Sequence, residues 1–430
     1  MNLNRKAMVL AVGAALAAPC AHAQIKSKAG SDWEFYGKFW PQWTHQSGDG
    51  ASPNGTPRSS FTGSLDGTNA VVSRWEMQVQ NSYIGFRGSK DLGRGLKAIW
   101  QLETAVAIDT PDAGEPLANR NSFAGLSGGF GTVRLGNMDT PLKEAVEDVS
   151  FLGVSSGNFV SSSNIMRKIG PRGGGSFNLR APNAINFDSP EFFGGLTYSA
   201  QYSVGNPIES AGDVEPDPLD PATLVALGGI TPNRKPRLVS MALKWEKGPL
   251  YLALAHEAHF DYFGGSGDAR TAQKNNTDLA VHSKDTATAI SANYKIGIHQ
   301  IGLDYNVKNY KETPETTFAD PQGRFKSYKN TAIGATWLAR WNKQWNTALF
   351  YGKASAGDCE LFNATCTTTG LDGTMLAAGV AYYLDPSFSL YGLYSVMENG
   401  GSARFENLES GRGNPGEDIT QVAVGLAYTF

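Results

Sequence analysis

Few side chains in this 430-residue chain are spaced for chemistry. Cys359 and Cys366 stand seven apart in one polar stretch, and in an exported chain that spacing points to a local disulfide. No histidine lies near them in sequence, so a metal site is the poorer reading. His256-Glu257-Ala258-His259 lacks the His-Glu-x-x-His spacing that sets two imidazoles on one helix face, and it ends an alternating segment. Gly170 to Gly175 is glycine-rich but has no Lys-Ser/Thr after it, as a phosphate loop requires. A Gly-x-Ser-x-Gly in a strand-turn-helix setting is absent, and parity sets no Ser beside a His on neighbouring strands. The reading is therefore of a protein that is not an enzyme and needs no cofactor or metal.

What remains is charge and surface, and these depend on the elements that carry them. The segment Gln421 to Phe430 alternates: Val422, Val424, Leu426, Tyr428 and Phe430 share one face, and Gln421, Ala423, Gly425, Ala427 and Thr429 the other. Such a strand could close a soluble domain or face lipid. The same period of two returns in Leu96 to Leu102, Leu196 to Tyr202, Val239 to Trp245, Ile290 to Ile296, Ile301 to Val307 and Leu376 to Leu384. Between the apolar positions stand Lys97, Gln101, Glu103, Gln201, Lys244, Gln300, Asp304, Asn306 and Lys308, which predicts wet opposite faces.

Export is read from residues 1–23. Arg5 and Lys6 precede an apolar run from Ala7 to Ala18, then Ala21-His22-Ala23, so a signal peptide is expected and Gln24 as the first mature residue. Pro19 and the better site downstream argue against lipidation at Cys20. Processing takes the net charge from -3 to about -5, too weak a balance to suggest nucleic acid or an anionic membrane surface as partner. No later stretch reaches the ~18–20 apolar residues of a transmembrane helix, and the mean hydropathy is -0.29. A membrane barrel remains open, because only alternate residues of each strand face lipid.

Long connections near 46–72, 108–119, 138–177, 205–235, 260–284, 309–326, 354–371 and 398–418 alternate strictly with short turns. That predicts an all-β transmembrane antiparallel barrel of about 16 strands, forming one domain over residues 24–430. Parity slips between Met77, Val79 and Ile84, Phe86, so a bulge or a subunit contact is expected near residues 80–82.

Several stretches resemble the general trimeric porins of Gram-negative bacteria, particularly those of beta-proteobacteria. They are Phe35-Tyr36-Gly37-Lys38, Ile84-Gly85-Phe86-Arg87-Gly88 running on to Leu96-Lys97-Ala98, Phe123-Ala124-Gly125-Leu126-Ser127-Gly128-Gly129-Phe130-Gly131, and Arg180-Ala181-Pro182-Asn183-Ala184-Ile185-Asn186-Phe187-Asp188. The resemblance implies a homotrimer in the outer membrane and a third long loop, 138–177, folded into the lumen as a constriction. It implies that Glu144, Glu147 and Asp148 on this loop face wall cations, with Lys38 and Arg180 at family wall positions. Arg167, Lys168 and Arg172 follow on the same loop. Phe430 resembles the C-terminal aromatic read by barrel-insertion machinery.

The chain departs from the pattern where relatives carry wall arginines, with Tyr83 and Asn137 instead. Arg134, inward by parity, and Arg172 from the loop are candidates to compensate. The expected function is passive diffusion of small hydrophilic solutes and ions with a weak lean to anions. Inward Tyr36, Trp40 and Tyr83 suggest an alternative, a channel preferring small aromatic acids. A structural or adhesive barrel, using loops such as 205–235, is the reading from another class.

Overall fold

The computed structural model describes residues 25–26, 32–79, 81–109, 117–147, 158–170, 177–204, 236–260, 262, 281–314, 325–406, 408 and 412–430. The expected signal peptide and the loop 205–235 lie outside them. Sixteen antiparallel strands close into a barrel. The first six are β1 (Asp32–Phe39, resuming as Pro41–Asp49), β2 (Arg74–Val79, resuming as Tyr83–Gly93), β3 (Leu96–Ala105), β4 (Ser122–Gly128), β5 (Gly131–Asp139) and β6 (Arg180–Asp188). Then come β7 (Leu196–Ser203), β8 (Arg237–Lys247), β9 (Leu250–Phe260), β10 (Val281–Ile296), β11 (His299–Pro314) and β12 (Phe325–Arg340). The last are β13 (Trp345–Ala354), β14 (Gly373–Asp385), β15 (Phe388–Asn399) and β16 (Asp418–Thr429). Two short helices, α1 (Pro141–Glu147) and α2 (Ser163–Met166), lie between β5 and β6.

Closure is made by β16 on β1, with Thr429 opposite Lys38 and Gly425 opposite Gln42. The wall then has no open edge, as a hydrocarbon solvent requires. Phe430 extends the seam: its N–H donates to Gly37 O and Gly37 N–H donates to Phe430 O, both at 3.0 Å. Its ring lies against Phe35, Phe39 and Tyr428. A Cβ at Gly37 would sit 2.5 Å from that ring, so the glycine lets the terminal aromatic close in.

The alternation governs orientation. Val422 and Val424 are exposed on the outer surface, while Gln421, Ala423 and Ala427 are buried inside. Leu252, Leu254, Ile290, Leu303, Ile333 and Leu349 continue the outer apolar surface, whose natural solvent is lipid. The slip in β2 is a bulge: the pairing changes register between Pro41–Val79 and Lys38–Tyr83, and Asn81 takes φ 57°. β10, β11 and β12 each run 16 residues, longer than their apolar faces suggest. The connections after β9 and β11 shrink accordingly to 261–280 and 315–324, because ladder pairing continues through residues polar on both faces.

On the loop side, Cys359 and Cys366 are bonded, and the short strand Asp358–Leu361 beside them pairs with the end of β12. The loops after β1, β13 and β15 are joined. Ser60 N–H donates to Thr367 O at 2.9 Å, and the buried Glu417 carboxylate accepts from Ala70 and Val71 N–H at 2.9 and 2.8 Å.

Candidate functional site

The connection carrying α1 and α2 lies against inward-facing side chains of the wall. α1 contacts β7 to β10 and α2 contacts β12 to β14. The seat for α2 is built from small residues, Ala332 and Gly334 on β12, Ala348, Gly352 and Ala354 on β13, and Ala377 on β14. A Cβ at Gly352 would lie 2.7 Å from Ile165 and one at Gly334 3.1 Å from Met166, so side chains there would push the loop off the wall. Phe159, Val160, Ile165 and Met166 are buried in this seat, each worth about 1.5–3 kcal/mol by transfer from water.

Polar tethers fix the rest of the loop. Arg167 forms an ion pair with Asp304, which also accepts from Ser291 Oγ at 3.2 Å. Lys308 Nζ donates to Met166 O at 2.8 Å, and Tyr251 Oη donates to Ala145 O at 2.6 Å. Phe177 stacks on His259 at 4.6 Å, and Asn158 Nδ2 donates to Gln42 Oε1 on β1 at 3.0 Å. Asp304 and Lys308, expected on a wet face, are instead covered by the loop and buried, as are Glu257 and Asp285.

The opposite wall, β1 to β6, keeps four guanidinium groups partly exposed, while Lys38 and Glu103 on it are buried. The side chains of Arg87, Arg120, Arg134 and Arg180 are 42%, 19%, 17% and 18% exposed. Each of four wall cations lies over an aromatic ring: Lys38 Nζ 3.6 Å from the Trp40 centroid, and Arg87, Arg120 and Arg134 at 4.6, 4.7 and 5.1 Å from Tyr36, Tyr83 and Phe123. Rings orient a cation without cancelling its charge, whereas carboxylates cancel it. Arg87 pairs with Glu34, Arg120 with Glu103 at 2.6 Å, and Arg134 with Asp188. Asp139 is shared by Lys143 at 2.8 Å and Arg180 at 3.2 Å. Among the described residues five cations of this cluster, Arg87, Arg120, Arg134, Lys143 and Arg180, thus form ion pairs with four carboxylates, and Lys38 lies over Trp40 beside them.

The sequence-derived residues fall into four groups. Lys38, Tyr36, Tyr83, Arg134 and Arg180 stand together on this wall, Tyr36 donating to Glu103 at 3.0 Å and Arg180 to Asn121 Oδ1 at 2.9 Å. Trp40 is buried against Tyr391 at 5.5 Å. Glu144 lies on α1, and burial raises its pKa although Arg134 and Lys244 pull it down. Asp148, Arg172 and the side chain of Glu147 lie outside the described residues.

Arg87 and Arg120 were not singled out from the sequence. Arg87 had a usable signal, since it shares the inward parity of Tyr83. Arg120 had none, because it precedes β4 outside any alternating run. The structure gives both departures a role in placing it: Tyr83 supplies the ring beneath Arg120, and Asn137 Nδ2 donates to Asn119 O and Arg120 O at 3.3 and 3.2 Å. Burial opposes the charge on Arg120, but Glu103 beside it holds the guanidinium above its ordinary pKa. Among the described residues no cluster of His, Cys, Asp or Glu could hold a metal.

A family profile described as Gram-negative porin matches residues 7–402. The chain is 35% identical over 146 residues to the major outer membrane protein P.IB of Neisseria gonorrhoeae, a stretch covering 33% of this chain and 38% of that one. The match thus spans little more than a third of that relative's length. Among solved structures, an anion-selective porin from Comamonas acidovorans superposes with a TM-score of 0.66 at 17% identity, over 93% of this chain and 100% of that one. The trimer form of OmpT, an outer membrane protein of Vibrio cholerae, gives 0.59 at 13% identity, over 93% and 99%. These two likenesses concern the fold.

Proposed function

Because this chain belongs to the Gram-negative porin family and is an outer-membrane barrel, we propose that it is a water-filled channel for passive diffusion of small hydrophilic solutes and ions, with a lean to anions. The carrying observation is the one-sided exposure of charge. The loop between β5 and β6 covers Glu257, Asp285, Asp304 and Lys308 on the inner face of β9 to β11, while Arg87, Arg120, Arg134 and Arg180 on the facing wall are partly exposed. Solutes then pass between the loop and a wall that presents the guanidinium groups of Arg87, Arg120, Arg134 and Arg180. No energy coupling is needed, since the fixed charges act as a field that favours anions at entry.

The size of the bias follows from Coulomb's law. A charge about 8 Å from the path acts on a monovalent ion with about 0.5 kcal/mol in water, opposite in sign for anion and cation. Two such charges, screened by ~0.1 M salt, separate anion from cation by about 1 kcal/mol, or about fivefold in permeability. Planar-bilayer recording of the reversal potential under a potassium chloride gradient tests this. Arg180→Ala, removing one such charge, should lower the ratio to about twofold; an unchanged potential would take Arg180 out of the path.

Members of the family are generally trimers, and we propose the same assembly here, which triplet conductance steps would report. The aromatic-acid reading gains no support, because the Tyr36 and Trp40 rings are already covered by Arg87 and Lys38.

A further inference from the structure

Between Asp304 and Lys308 on β11 stands Asn306, inward by parity and 1% exposed, and neither its Oδ1 nor its Nδ2 has a hydrogen-bond partner. Asn330 on β12, directly opposite Lys308, is alike: 1% exposed, with both amide atoms unpartnered. Residues 166–167 of the inner loop bridge the strand over Asn306, because Lys308 Nζ donates to Met166 O at 2.8 Å and Arg167 Nη2 donates to Asp304. The remaining Nε and Nη1 of Arg167 are buried there without an acceptor. Six unpartnered polar atoms, four of them N–H donors, thus lie where the end of α2 crosses β11 and β12. A buried polar atom left so is costly, and several together point to something that satisfies them.

Space and charge narrow what that is. Asn306 faces Ala289 on β10 and Ala332 on β12, and Lys308 faces Ala287, so only methyl groups flank the amides on the wall. The buried pair Tyr310 and Tyr328 closes the loop-side end, and Asp304 stands at the other. Among the described residues the charges acting here are two cations, Arg167 and Lys308, and one carboxylate, Asp304. One positive charge is left over in a buried compartment, where a charge is stable only when it is paired.

We propose that a small monovalent anion of the halide class, such as chloride, binds between Arg167, Lys308, Asn306 and Asn330 as a fixed part of the loop's seat. The four free N–H donors and the Lys308 ammonium supply charge-assisted contacts, and one negative charge matches the surplus. A sulfate or phosphate dianion would reverse it and is too large for the alanine-lined floor. The two amide oxygens accept from water that completes the anion's shell. The site is distinct from the permeation path, since the loop covers it, and its anion clamps that loop to β11 and β12.

The test compares equilibrium unfolding of the full chain by urea in detergent micelles at about 200 mM chloride and at equal ionic strength in gluconate, an anion too large for the compartment. Chloride should lower the unfolding equilibrium constant about tenfold, as 1 + [L]/Kd gives for a Kd of about 20 mM. Asn330→Leu, folded by circular dichroism, should reduce that factor below about twofold. Gln421→Leu, which removes another buried amide with an unpartnered Nε2, should retain it. Parent crystals grown in bromide should show an anomalous peak between Arg167 and Asn330, which decides the matter even where Asn330→Leu does not fold. The proposal is overturned if chloride and gluconate give the same constant, or if Asn330→Leu keeps the tenfold factor. It is equally overturned if Gln421→Leu loses that factor, or if bromide peaks appear only at the guanidinium groups of the facing wall.

Discussion

The ion pair that seats the inner loop gives an ordered set of stabilities. Arg167 and Asp304 have side chains only 3% and 6% exposed, and Lys308, fully buried, shares Asp304 as its counter-charge. Breaking a buried pair costs about 3–5 kcal/mol, chiefly through the partner left charged and dry. Asp304→Asn leaves two buried cations, Arg167 and Lys308, without their carboxylate, so its cost should reach the upper part of that range. Arg167→Met leaves Asp304 in the electrostatic field of Lys308, which bonds Met166 O, and should cost less. In the double variant Asp304→Asn/Arg167→Met one of the stranded cations is gone, and stability should recover by about 1–3 kcal/mol relative to Asp304→Asn alone. Urea unfolding in detergent micelles measures the three free energies, and single-channel noise reports a loop that lifts from its seat. Additive losses, or a milder Asp304→Asn than Arg167→Met, would refute the shared-counter-charge reasoning.

Glu103→Gln removes a carboxylate that accepts from Tyr36 and Arg120, so it should cost about 1.5–3 kcal/mol of stability and raise the anion preference in gradient recordings. Burial raises the pKa of Glu144 above its ordinary 4.5, so its protonated form stabilises the fold fully below that value, and the benefit is lost as pH rises through the raised one. Glu144→Gln should therefore stabilise at pH 7 but not at pH 4, by unfolding at both pH values. It should also flatten the gain in anion preference expected of the parent as pH falls toward 4.5. Cys359→Ser/Cys366→Ser should loosen the loop after β13 by about 2–3 kcal/mol, seen as faster proteolysis confined to that loop. Alkylation of either cysteine in the unreduced native protein would contradict the bridge.

The barrel was legible because its two signals are local: a period of two along each strand and a strict alternation of short and long connections. The bulge in β2 was legible for the same reason, as a change of parity. The extra length of β10 to β12 was not, since Lys284, Thr286 and Asn309 carry no alternation to read. Polarity alone also misread Asp304 and Lys308. Inward position follows from parity, but whether an inward charge meets water depends on a loop packed above it, which is long-range information. Arg120 reached the wall by the same kind of tertiary return. The glycines and alanines of β12 and β13 held a trace of the loop's seat, visible only once the occupant is known.

The central claim is that water and solutes pass along β1 to β6 and not along β9 to β11. Single cysteines at Arg87 and at Ser291, next to Asp304, test it directly, with a negatively charged methanethiosulfonate reagent added during bilayer recording. At Arg87→Cys the reagent should replace a lumen cation's site with an anion, reducing both conductance and anion preference within the recording. At Ser291→Cys, buried beneath the loop, the current should stay unchanged. Rapid block at Ser291→Cys with a silent Arg87→Cys would contradict the account.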